Sequence, residues 1–72
     1  MPTFIVNRNA QPTGENEVHQ LNASCPKLPH PENRIDLGTH NHCSDAVAKA
    51  KRLYPEASID GCYHCCNPCH NR

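Results

Sequence analysis

The segment Gly61-Cys62-Tyr63-His64-Cys65 carries the most specific chemical signal in the chain. Two cysteines separated by two residues place both thiols on one side of a tight backbone loop, at the separation a tetrahedral metal ion requires. The same spacing serves redox chemistry, but that use wants a βαβ unit with a helix starting at the motif. Here the one strong helical pattern ends before the motif and Pro68 follows it, so metal binding is the expected role. One pair is half a site. The other half is expected upstream, where His19 and Cys25 stand as H-x5-C. His19 taken alone reads equally well as a solvated strand histidine.

Cys66-Asn67-Pro68-Cys69-His70 is a second C-x2-C overlapping the first, and Cys43 lies at the expected helix N-terminus, where the helix field favours a thiolate. Three roles stand open for these residues. Cys66 or Cys69 substitutes for His19 in an all-cysteine site. Alternatively, Cys43, Cys66 and Cys69 hold a second ion together with His42 or His70. In the third reading they are buried or free thiols, with an oxidisable pair among them. His30, His40 and His42 sit in turn-like sequence and read as surface residues. Tyr63 is expected to cap the thiolates.

The rest of the chain explains why such a site is needed. Its 72 residues make one domain, 1–72. Leu, Ile, Val and Phe number only eleven, below the roughly 20% at which a chain risks disorder. Seven basic residues balance seven acidic ones, so the high net charge of a disordered chain is missing. A small scaffold with a thin core is held by disulfides or metals. Six cysteines permit three disulfides. Residues 1–20 show no apolar signal segment, which predicts a reducing, cytoplasmic setting. Adjacent Cys65 and Cys66 pair poorly with each other, and four cysteines crowd into residues 62–69. Zinc is therefore the expected staple. No run approaches the roughly 18 apolar residues of a membrane span. Zero net charge gives no support to a nucleic-acid partner. A monomer that contacts some other macromolecule is expected.

Side-chain alternation predicts an α+β fold with about three antiparallel strands and one helix. Residues 3–7 and 34–38 read as strands, and 17–21 as the strand that carries His19. Three prolines make 25–33 an irregular loop. The helix is expected over residues 44–54, with Ser44 as N-cap, Asp45 in its first turn and Pro55 as its stop. Its apolar stripe is Val47, Ala50 and Tyr54, flanked by Ala46 and Leu53. Residues 56–61 read as a short connection into the cysteine knuckle.

His19, Cys25, Glu32-Asn33-Arg34-Ile35 at a strand start, Asp45-Ala46 in a helix and Gly61-Cys62-Tyr63-His64-Cys65 together resemble the Ada-type metal-binding domain. That is the zinc module at the N-terminus of the Ada DNA-repair methyltransferase, also found as stand-alone or appended bacterial domains. The similarity covers about residues 17–66. It implies a bacterial-type origin, a small sheet with a helix, and one tetrahedral zinc held by His19, Cys25, Cys62 and Cys65. Ada repair proteins use four cysteines, the first of which accepts a methyl group from a DNA phosphotriester. His19 stands near that place here and offers no thiolate. The expected function is thus a structural zinc module that binds a partner and is not an enzyme. The alternative is a zinc-thiolate alkyl acceptor or redox sensor.

Overall fold

The computed structural model describes residues 2–21 and 25–70. Its strands are β1 (Thr3–Asn7), β2 (Glu15–Gln20), β3 (Arg34–Thr39) and β4 (Ser58–Gly61), with one α-helix, α1 (Cys43–Leu53), between β3 and β4. Single 3-10 turns occupy Pro31–Asn33 and Asn67–Cys69. The strands form one sheet in the order β3-β1-β2-β4.

β1 is built from β-branched and aromatic residues that suit a pleated, buried surface. It pairs antiparallel with β2, Ile5 opposite His19 and Val6 opposite Val18, and antiparallel with β3 on its other side. Gly14 (φ +95°) turns the chain between β1 and β2, its N–H donating to Gln11 at 2.7 Å. Strand alternation then sorts the side chains. Phe4, Val6 and Val18 join Leu37, Ile59, Ala46 and Ala50 in the core, which also takes in Cys25, Cys62 and Cys66. Ile5 and its partner His19 are also buried, although they project from the opposite face. The centre of the sheet is therefore covered on both sides.

Two features correct the sequence-based expectation. The sheet has four strands rather than three and is mixed, because residues 58–61 form β4 and pair parallel with β2. Ser58-Ile59-Asp60-Gly61 has one large apolar residue and two poor strand formers, so alternation gives no warning of it. A parallel neighbour needs a crossover, and α1 lies in that connection. The helix also starts one residue early. His42, not Ser44, is the N-cap, without a side-chain capping bond, and Asp45 N–H closes the first turn on His42 carbonyl at 3.1 Å. Tyr54 ends the helix by donating to Ala50 carbonyl at 2.9 Å. Ala46 and Ala50 are fully buried, so the helix approaches the sheet on its small residues, and Leu53 is left half exposed.

Beyond β4 the ladder continues by one bond, from Cys62 N–H to Val18 carbonyl at 2.9 Å. The chain then folds back over Gly61. A Cβ added to Gly61 would lie 2.7 Å from Cys69 Cβ and 2.9 Å from Cys66 carbonyl oxygen. Backbone and a constrained cysteine cannot yield as a flexible side-chain tip would. Gly61→Ala is expected to cost about 1–3 kcal/mol through overpacking, read as a lowered denaturation midpoint. An unchanged midpoint would mean that the C-terminal turn does not press on Gly61 in solution.

Candidate metal centre

The chain brings four of its ligand-type side chains to one point. His19 Nδ1 or Nε2 and the sulfurs of Cys25, Cys62 and Cys65 supply one atom each, all within 4.8 Å of one another. They arrive from three parts of the chain. His19 projects from β2, an interior strand whose backbone is held by β1 and β4. Cys25 opens the proline-rich loop. Cys62 follows β4 directly and is fixed by its bond to Val18, the neighbour of His19. Cys65 stands one turn further on, where Gln20 N–H donates to its sulfur at 3.3 Å.

Within the group, His19 Nδ1 lies 3.7 Å from Cys25 Sγ and 3.6 Å from Cys65 Sγ. The sulfurs of Cys25 and Cys62 are 3.9 Å apart. His19, Cys25 and Cys62 are buried and Cys65 is partly so. The other ring nitrogen, Nε2, is buried without a hydrogen bond, with Glu17 Oε1 3.7 Å away on the same face of β2. Nδ1 is therefore the nitrogen that faces the sulfurs, and Nε2 lies on the side of Glu17.

Electrostatics suit neutral ligands waiting for a cation. Burial, aided by the Arg34 guanidinium, lowers the His19 pKa to about 4, so the imidazole is neutral with a free lone pair. Burial pushes the Cys62 thiol up, and the neighbouring Cys25 adds to the rise while backbone hydrogen bonds oppose it. The Cys65 thiol rises strongly, again through burial first. Three thiolates crowded together without a cation are unfavourable, and a cation that binds them must displace their protons.

The remaining candidates fall outside this group. Cys66 is buried beside it, its thiol pushed up to about 11 mainly by burial and partly relieved by hydrogen bonding to Cys65. Cys69, expected as a possible ligand, is instead joined to Cys43 in a disulfide with Cα atoms 6.3 Å apart. The oxidisable pair left open among Cys43, Cys66 and Cys69 is thus Cys43 with Cys69, and Cys66 stays a free thiol. His40 Nε2 donates to Leu37 carbonyl at 2.7 Å. His70 Nδ1 donates to Gly61 carbonyl at 3.0 Å and lies 3.2 Å from the buried carboxylate of Asp60. Tyr63, expected as a cap, is 59% exposed and meets the rings of His64 and His70 edge-on. Glu17 was not anticipated as a neighbour of the site. Its i, i+2 relation to His19 on a strand was the available signal.

In long-range nitrogen NMR, His19 is expected to show the Nε2-protonated neutral form and to keep it from pH 8 down to about 5. Its lowered pKa delays the charged form to more acidic solution. Titration of His19 near its ordinary value would show that the ring is solvated rather than turned toward the sulfurs.

No family model, curated protein or solved structure matches the chain. The functional reading accordingly rests on the geometry of the four side chains.

Proposed function

We propose that the chain is a structural zinc module that offers its surface to another macromolecule. The spacing within the ligand group carries the zinc assignment. Tetrahedral bonds of about 2.3 Å to sulfur and about 2.05 Å to nitrogen put two sulfurs about 3.8 Å apart, and sulfur and nitrogen about 3.6 Å apart. Three of the six separations match closely, at 3.9 Å between sulfurs and 3.7 and 3.6 Å between sulfur and Nδ1, and all six lie within 4.8 Å. Imidazole with three thiolates in a tetrahedral arrangement suits zinc better than the oxygen-seeking cations. Four protein ligands leave no position for a water, so the site lacks the open coordination of hydrolytic zinc. What such a site supplies is folding free energy. It ties an interior strand, a proline-rich loop and the C-terminal turn together in a domain whose apolar core is small. Leu53 and Tyr54, exposed at the end of α1, support a surface role by leaving apolar side chains for a partner.

One observation favours a second reading, in which a zinc-bound thiolate accepts an alkyl group as in the Ada-type resemblance. Cys65 alone of the three thiols is only partly buried, and it lines an open recess. Zinc keeps a bound thiol deprotonated and hence nucleophilic if it is reached. Against this stand the absence of a basic excess and of a cysteine in the place of His19.

Native mass spectrometry of protein prepared without chelator is expected to show one zinc per chain. Chelation, or Cys62→Ser, should collapse the dispersion of the NMR spectrum, since structural zinc contributes on the order of 10 kcal/mol in small domains. A chelated protein that kept its native spectrum would show that the apolar core suffices alone. Incubation of the zinc form with DNA bearing methyl phosphotriesters should leave the protein mass unchanged. A gain of one methyl group on Cys65 would instead establish the alkyl-acceptor reading.

A further inference from the structure

Three cysteines lie outside the four-ligand group, and they share one recess. It measures about 460 Å3, opens to solvent, and is lined by His42, Cys43, Cys66 and Cys69, with Cys65 on the wall toward the first site. Cys43 is the first residue of α1 and Cys69 the last of the 3-10 turn 67–69, so their disulfide clips that turn to the helix. Cys66 is the N-cap of the same turn, and Cys69 N–H donates to its carbonyl at 2.9 Å. The pair Cys66/Cys69 thus has the C-x2-C spacing that sets two thiolates around one ion. His42 precedes Cys43 directly and is exposed. One imidazole and three sulfurs thus line a single recess, and two of those sulfurs are bonded to each other.

We propose that the Cys43–Cys69 disulfide masks a second site for a thiophilic divalent cation, with Cys43, Cys66 and Cys69 as its thiolates and His42 as its fourth ligand. Reduction exposes it. A small dithiol attacks one sulfur, the Sγ–Sγ bond breaks, and the reductant leaves as its own cyclic disulfide. Cys43 and Cys69 each take one of the dithiol's two protons and become thiols. A cation then enters, and the three thiols release their protons to solvent. To move from a covalent bond to the spacing of a shared tetrahedral ion, each sulfur shifts by only about 1 Å, within reach of side-chain rotation. The recess gives both the reductant and the ion a path. In the oxidised state the disulfide holds the turn against α1, and in the reduced state the ion does, so the same two elements stay joined.

The test is zinc counting by native mass spectrometry on the full chain. One sample is kept oxidised. The other is reduced with dithiothreitol, freed of reductant without oxygen, and supplied with Zn2+. Expected are one zinc in the oxidised sample and two in the reduced one, with the extra ion lost in Cys43→Ser. An equal count in both samples overturns the masked site, whatever that count is. An extra ion that persists in Cys43→Ser overturns it too, since it binds elsewhere. The first site is judged separately, by the oxidised sample. Zero zinc there with one after reduction would sink the structural zinc module and leave the masked site standing. Co2+ in place of zinc gives a second readout, because each thiolate-bound cobalt adds sulfur-to-metal charge-transfer absorption. Reduction should about double that absorption in the wild-type chain and leave it unchanged in Cys43→Ser.

Discussion

The parallel pairing of β4 with β2 sets the position of nearly everything that bears chemistry. Val18 lies opposite Gly61, and the next residue, Cys62, donates to Val18 carbonyl at 2.9 Å. A ladder bond of this kind fixes backbone positions to a fraction of an ångström, which long side chains on loops cannot do. It places the first thiol of the C-x2-C beside the strand position from which His19 projects. Gln20, one residue beyond His19, donates to Cys65 and so anchors the second thiol on the same strand. Three of the four ligand-type side chains are thereby referred to a six-residue strand in the interior of the sheet. Cys25 is brought in separately, by the proline-rich loop.

The sheet and helix alone make a modest core. Its large fully buried side chains are Phe4, Leu37, Val6 and Val18, and the rest of its apolar content is small residues, Ile59 and cysteine. Cys25, Cys62 and Cys66 belong to that core, so the thiol cluster and the apolar cluster are one continuous body. The Cys43–Cys69 disulfide adds a covalent tie between α1 and the C-terminal turn, and Gly61 allows that turn to close over the end of β4. Cross-linking of residues far apart in sequence reduces the entropy of the unfolded chain, and that is where a thin core gains most.

The helix, β1 and β3 were legible because each carries a clear period, either β-branched alternation or an apolar stripe bounded by proline. β2 was legible from Val18 and its neighbours but begins two residues earlier than alternation suggests, because Glu15 and Asn16 pair with β4, which was itself invisible. A four-residue strand with aspartate and glycine is made by its neighbours rather than by its own propensity. Spacing pointed to Cys62 and Cys65 and to an upstream half-site at His19 and Cys25, but it left Cys66 and Cys69 open in place of His19, and only the family resemblance named the four together. The partner of Cys43 was left open too, since local spacing is silent about two cysteines that meet only after the helix has packed.

Charge balance adds a last constraint on the four-ligand site. With zinc bound, three thiolates and one divalent ion leave a net charge of −1 in a largely buried place, and burial of an uncompensated charge is costly. Arg34, the first residue of β3, lies close enough to depress the His19 pKa, and its Nε is held by Pro29 carbonyl at 2.9 Å. The field that disfavours a protonated imidazole favours an anionic zinc-thiolate centre. Arg34 thus opposes the competing proton and supports the filled site with the same charge. The Gln20 N–H at Cys65 acts in the same sense by drawing negative charge from a thiolate. Glu17 works the other way on net charge, but its carboxylate stands on the Nε2 side of the ring, 3.7 Å away, where a proton on Nε2 would be favoured. The surroundings of His19 therefore select a neutral, correctly oriented imidazole, and those of the sulfurs tolerate the negative charge that only a bound cation makes affordable in so small a core.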